Sequence, residues 1–293
     1  MKGRYDMTIR DMLVTIEDTK STPSRVELAV WLAGILDAHL IGLHAAPFLP
    51  DAPGAVGYYD AGLGAVNFDW EQYAAGLQAV AVERAAAVEA ARGDFEQVIS
   101  RTGRTGEWRL AEDWRGAEIA LHARYVDLAV IGQTEPGDDR LMIPDPGEIA
   151  LGSGCPALIV PYAGRHETIE RNALIAWNGS REARRAVQDA LPLLTLVSEV
   201  TVLSIAPHRG IAGRDAGADI ALHLARHGLK VTVEQTVADG LEPADLLLSR
   251  AADLGSDLIV MGAYGHSRMR EMTLGGTTRS MLRQMTVPVL MSH

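Results

Sequence analysis

Four stretches in the first half of this 293-residue chain recur, in the same order, in the second. Met12-Leu13-Val14-Thr15-Ile16 and Ala173-Leu174-Ile175-Ala176-Trp177 are both apolar runs that end in a polar turn and lead into a helical pattern. His39 to Pro47 (HLIGLHAAP) answers Glu199 to Pro207 (EVTVLSIAP). Asp127 to Gly132 (DLAVIG) answers Asp257 to Gly262 (DLIVMG), and Cys155-Pro-Ala-Leu-Ile-Val answers Val287-Pro-Val-Leu-Met-Ser. A sequence that repeats in this way builds one unit twice, which removes most alternative folds at once. The offset falls from about 160 residues at the front to about 130 at the back, so the first copy carries some 30 extra residues after its second strand, roughly Phe48 to Gly76. Two domains are therefore expected, 1–165 with the insert 48–76, and 166–293.

Inside each copy the strand-like runs are short, apolar on both faces and rich in Val, Ile and Leu, as central parallel strands covered by helices require. The segments between them have helical period. Ser180 is placed to cap a helix whose Ala183, Ala186, Val187, Ala190, Leu191 and Leu194 form one apolar stripe. Its counterpart starts at Thr22-Pro23-Ser24, with Glu27 spaced for a capping box and Val26, Val30 and Ala33 facing inward. Pro243 and Gly255 frame another helix, Ala244 to Leu254. Strands and helices alternate, so the expected fold class is α/β: two tandem doubly wound, five-stranded parallel sheets. Such sheets bind ligands at the carboxyl ends of the strands, where strand order reverses.

A net charge of -11 disfavours nucleic acid as a partner, since phosphate backbones are held by basic surface. No apolar run approaches the roughly 20 residues of a spanning helix, and Met1 to Asp11 has no signal-peptide character, so a cytoplasmic location is expected. Cys155 is the only cysteine, which excludes an intramolecular disulfide and a multi-thiolate zinc site.

The sharpest local signal follows the strand Leu258 to Met261: Gly262-Ala-Tyr-Gly265-His266-Ser-Arg-Met-Arg-Glu-Met-Thr-Leu-Gly275-Gly276-Thr277-Thr278. Glycines at these places let backbone N–H groups turn toward an anion, and Gly275 to Thr278 open a helix whose amino end favours negative charge. Thr277 and Thr278 add hydroxyls, and no Walker lysine accompanies them. His266 can donate to a phosphate, and Arg268, Arg270 and Arg279 can offset its charge. A glycine-rich loop also serves packing alone, and that reading stays open on these residues.

The spacing Gly-x2-Gly-x9-Gly after an apolar strand, followed by a helix and a short Val-Pro-Val strand, resembles the ATP-binding motif of universal stress proteins. The resemblance covers nearly the whole chain as two fused copies. It implies a flavodoxin-like fold, ATP or AMP as ligand and pairing through the last strands. It implies Gly262, Gly265 and Gly275 at the phosphates. The hydroxyl residue expected next is replaced by Gly276, with Thr277 one step later. The adenine-side acid falls on Asn178 in the second copy and Glu17 in the first, and a backbone contact to adenine falls near Ile205.

In the first copy Glu135 stands in the place of Gly265 and Ile143 in the place of Gly275, with Asp138 and Asp139 between them, so phosphate would be repelled there. The sequence therefore points to one nucleotide per chain, held in the second copy. The last strands, Ala157 to Val160 and Pro288 to Met291, are expected to pair within one chain as a pseudo-dimer, with homodimerisation and a protein partner open beyond it. No paired carboxylates, metal cluster or activated nucleophile accompany the loop, so no catalytic residue is assigned. Slow ATP hydrolysis, helped by His266 or Mg²⁺, is the most to expect. His223 and His227 have metal-ligand spacing without a third ligand, and Ser180 lacks the Gly-x-Ser-x-Gly setting of a nucleophile. Tyr58, Tyr59, Phe68, Trp70 and Tyr73 in the insert suggest docking, on the sheet, on a second chain or over a cleft. The leading function is a nucleotide-binding sensor or scaffold. An ATP-using enzyme and a nucleotide-free interaction module remain the alternatives.

Overall fold

A computed structural model describes residues 8–45, 70–111, 116–135, 145–206, 217–263 and 276–293. The first half runs β1 (Asp11–Ile16), α1 (Thr22–Leu36), β2 (His39–Ala45), α2 (Trp70–Arg101), β3 (Gly106–Ala111), α3 (Gly116–Ala123), β4 (Leu128–Gly132), α4 (Pro146–Ser153) and β5 (Ala157–Val160). The second half repeats the order as β6 (Asn172–Ala176), α5 (Arg181–Leu194), β7 (Glu199–Ala206), α6 (Ala218–Arg226), β8 (Val231–Val237), α7 (Pro243–Asp253), β9 (Leu258–Gly262), α8 (Gly276–Gln284) and β10 (Val289–Ser292).

The strands form one sheet in the order β3-β2-β1-β4-β5-β10-β9-β6-β7-β8. Every pairing within a half is parallel, which gives each half the flavodoxin-like doubly wound arrangement. At the centre β5 and β10 pair antiparallel, with Ile159 opposite Val289, Leu158 opposite Leu290 and Ala157 opposite Met291. The expected intrachain pairing is thus present. Each half covers the other's last strand, and an apolar edge that would otherwise invite aggregation is closed.

Helices cover both faces, so the central strands β4 and β9 are buried along nearly their whole length. One core layer joins α1, α2, α5 and α6 to the sheet through residues such as Leu28, Phe95, Val187 and Leu224. The other joins α3, α4, α7 and α8 through Ile119, Ile149, Leu247 and Met281. Both layers run through the two halves without a break, so the fusion buries apolar area that separate units would expose. The repeated aspartates before β4 and β9 clamp the strand starts. Asp127 accepts the backbone N–H groups of Arg10 and Asp11 at 2.8 and 3.1 Å. Asp257, only 7% exposed, accepts those of Glu170, Arg171 and Asn172 at 2.8, 2.9 and 3.3 Å.

One local expectation needs correction. Helix α5 is capped by Ser180, whose side chain accepts from the N–H of Ala183 at 3.1 Å, as expected. Helix α1 instead begins behind Ser21, which makes no side-chain cap bond, so Glu27 lies beyond the first turn and closes no capping box. The Thr22 hydroxyl donates to the Glu17 carbonyl at 2.7 Å, and Glu27 faces Arg165 at 3.5 Å. The insert is described only in part. Residues 70–76 already belong to α2, while 48–69, with Tyr58, Tyr59 and Phe68, lie outside the described residues. At 32 residues α2 is about 48 Å long against about 23 Å for β2. Its carboxyl part packs Phe95 and Ile99 over Gly42 and Gly106, and its amino part overhangs the carboxyl edge of the first half with Leu77 and Val82 exposed.

Candidate functional site

In the second half the strand order reverses between β6 and β9, and the crevice at their carboxyl ends is where a doubly wound sheet takes its ligand. Asn178 stands just beyond β6, exposed, its Oδ1 accepting the Ser180 N–H at 3.0 Å and so shaping the turn into α5. Gly262 ends β9. A Cβ at this glycine would lie 2.5 Å from the Ala183 nitrogen and 2.5 Å from the Glu182 carbonyl carbon, so the first turn of α5 rests directly on the strand end. Helix α8 opens at the same edge with Gly276, Thr277 and Thr278. Among the described residues nothing crowds Gly276, Thr277 is half-buried and the Thr278 side chain is turned inward. Ile205, near the end of β7, packs partly buried against the α7 and α8 layer. Asn178, Gly262 and Gly276 to Thr278 therefore share one edge, and Gly265, His266, Gly275, Arg268 and Arg270 lie outside the described residues.

The sequence did not single out two other groups at this crevice. Glu182 sits in the first turn of α5, its carboxyl held below the usual carboxylate range chiefly by its own backbone N–H. His293 meets the Ala263 carbonyl through Nδ1 at 3.1 Å.

The corresponding crevice of the first half, between β1 and β4, is filled from within. Arg25 reaches into it from α1 and is 2% exposed. Its Nε donates to the Thr15 carbonyl at 2.9 Å, its Nη2 to the Thr22 hydroxyl at 3.0 Å, and it forms an ion pair with Glu17. Glu135 accepts from the Ser21 hydroxyl at 3.3 Å and adds a second nearby negative charge. Burial pushes the guanidinium down to about 9, against the pull of Glu135. Gly132 leaves room for Arg25, because a Cβ there would fall on Nη1. The cavity beside these groups measures about 10 Å³, the room of one water.

The repeat makes the contrast specific. Val26 and Ala29 of α1 match Val187 and Ala190 of α5, which places Arg25 opposite Ala186, a buried alanine. Aligning the two helices shows one charged position inside an otherwise matching apolar stripe. That signal was present in the sequence, but only as a difference between its halves.

The remaining candidates are accounted for by packing. His223 and His227 lie edge to edge with ring centroids 4.8 Å apart, and no group of three metal-binding side chains occurs among the described residues. Ser180 is a helix cap. Cys155 is buried, and desolvation raises its thiol to about 12, far from a reactive thiolate. His44, 3% exposed, stacks on Trp108 at 5.6 Å, and burial lowers its pKa. No helix among the described residues is long and apolar enough to cross a membrane.

A family model described as the universal stress protein family matches residues 170–293. A universal stress protein of Synechocystis sp. is 29% identical over 138 residues, which cover 46% of this chain and 46% of that protein, so the chain spans about half the length of this curated relative. Among solved structures, a universal stress protein from Archaeoglobus fulgidus superposes with a TM-score of 0.66 at 16% identity, covering 97% of this chain and 96% of that one. A functionally unknown protein from Pseudomonas aeruginosa gives a TM-score of 0.60 at 16% identity, covering 97% and 92%. At these identities the structural likeness speaks for the fold, and it extends over both halves.

Proposed function

We propose that this chain, which belongs to the universal stress protein family through residues 170–293, binds one adenine nucleotide in its second half and acts as a stress-response sensor or scaffold. What carries this reading is the difference between two crevices of the same fold. The first is occupied by the chain's own guanidinium and lined by two carboxylates, while the second has alanine at the matching place. Its strand end carries Gly262, and the start of α8 brings Gly276 to the same edge, where backbone N–H groups can meet an anion.

In this reading Asn178 faces the base with its amide nitrogen, since its oxygen is engaged in the turn. Ile205 offers backbone to the adenine. Gly262 and Gly265 border the sugar and near phosphates. His266 and Gly275 to Thr278 meet the outer phosphates of ATP, with Mg²⁺ as counter-ion where it is bound. The amino end of α8 adds up to about 1 kcal/mol through its dipole. Gly276 lacks a hydroxyl and Asn178 lacks the acid's charge, so micromolar affinity is expected, about 8 kcal/mol. Calorimetric titration should give one site per chain, and mass spectrometry of the denatured protein should release an adenine nucleotide. Two equivalent sites per chain would overturn the one-site reading, whereas no released ligand and no thermal shift with ATP would favour a nucleotide-free interaction module.

Gly265→Glu places the first half's residue into the second half's loop. It should abolish ATP binding, because the carboxylate repels phosphate, while leaving the circular dichroism spectrum unchanged. Unaltered affinity in this variant would sink the phosphate assignment.

A further inference from the structure

The antiparallel pairing of β5 with β10 turns the carboxyl edges of the two halves in opposite directions along the sheet. Helix α8 runs back along the strands of its own half, from the second crevice toward the edge at which the first crevice opens. Its carboxyl end is held there. Gln133, the residue immediately after Gly132, is 5% exposed and donates its Nε2 to the Leu282 carbonyl at 2.9 Å. Its Oε1 accepts the Tyr162 N–H at 3.1 Å. Leu282 lies in the last turn of α8, whose carbonyls have no partner within the helix, so a side chain of one half caps a helix of the other. The contact has no mirror image, because the residue after Gly262 is Ala263.

We propose that Gln133 is a positioning residue for the nucleotide crevice of the second half, fixing the axis of α8 so that its amino end meets the outer phosphates. The inference rests on the phosphate reading of α8 given above. A nine-residue helix is about 13 Å long and behaves as a rigid rod, so displacement at one end swings the other. Hydrogen bonds to a phosphate weaken steeply with misalignment, and a shift of a few tenths of an ångström at Thr277 and Thr278 matters. The anchor itself is firm because the first crevice is already filled. Glu135, two residues from Gln133, is tied to Ser21, and the neighbouring Gly132 is packed by Arg25. An empty crevice awaiting a ligand would leave this loop free to move. The first half then has a task although it takes no nucleotide: it holds the helix with which the second half binds one.

The test is Gln133→Glu in the full chain. The substitution keeps an oxygen for the Tyr162 N–H and the same shape, but it removes the donor and turns an oxygen toward the Leu282 carbonyl. ATP should bind about tenfold more weakly, equivalent to about 1.4 kcal/mol, while adenosine, which has no phosphates to misalign, should bind as to the parent protein. Without any ligand, hydrogen exchange at the amides of residues 280–284, which bond within the helix, should rise about fivefold or more, with α5 unchanged. Gln133→Met, which removes both bonds without adding charge, serves if the glutamate variant does not fold. ATP and adenosine weakened equally, or ATP bound normally, would overturn the proposal, as would unchanged exchange in α8. If the parent protein binds no ATP at all, the nucleotide reading fails, and the ligand-free exchange still decides whether Gln133 holds α8.

Discussion

Arg25→Ala should lower the unfolding free energy by about 3 kcal/mol, the low end of the range for removing one partner of a buried ion pair. The variant leaves Glu17 and Glu135 facing each other across a void with no cation between them, and it strips a donor from the Thr15 carbonyl. Glu17 keeps some contact with solvent, its side chain being 18% exposed, which is why the larger values of that range are not expected. Urea denaturation measures the loss directly. Adding Glu17→Gln to Arg25→Ala should recover part of it, because the double variant no longer buries an unpaired charge. Millimolar methylguanidinium should raise the melting temperature of Arg25→Ala and leave the parent unaffected. A neutral Arg25→Ala would mean that the guanidinium does not occupy the crevice.

Gly262→Ala should cost about 3 kcal/mol and eliminate nucleotide binding, whereas Gly132→Ala should cost only about 1 kcal/mol. The two glycines end equivalent strands, but what lies above them differs. At Gly262 a methyl group meets backbone of α5 at 2.5 Å, and the helix can yield only by moving as a body away from the sheet. At Gly132 the methyl group meets the tip of Arg25, which can rotate aside at the expense of its hydrogen bonds. Paired denaturation curves and ATP titrations of the two variants check this. Equal costs at the two positions would show that the helix start of α5 is not pressed against β9.

The architecture was legible because it is written twice. The Asp-to-Gly runs 127–132 and 257–262 place equivalent strands, Ser180 marks the start of α5, and the apolar last strands anticipate the β5–β10 pair. Helix α1 shows the limit of such reading. Pro23 and Glu27 mimic a start signal, but Thr19, Ser21 and Thr22 use their hydroxyls on one another and on Glu17, so the helix begins without a side-chain cap. Arg25 was hidden because an arginine on a helix is ordinarily read as solvent-facing. Its burial is made tolerable by Glu17, eight residues before it, by the Thr15 carbonyl and the Thr22 hydroxyl, and by Glu135, which is distant in sequence. Gln133 was hidden for the same reason, since its acceptor belongs to a helix 149 residues further along the chain.

The antiparallel seam between the halves gives the chain two unlike poles. At one pole the second crevice opens. At the other, α2 extends its overhanging amino turns past the edge of the sheet, with Leu77 and Val82 turned to solvent. A homodimer of single units would present the same crevice at both ends, and a partner could approach from either. Here the ends are distinguishable, so whatever engages the protruding helix meets the molecule on the side away from the second crevice. Any coupling between that helix and the second crevice has to cross the width of the sheet.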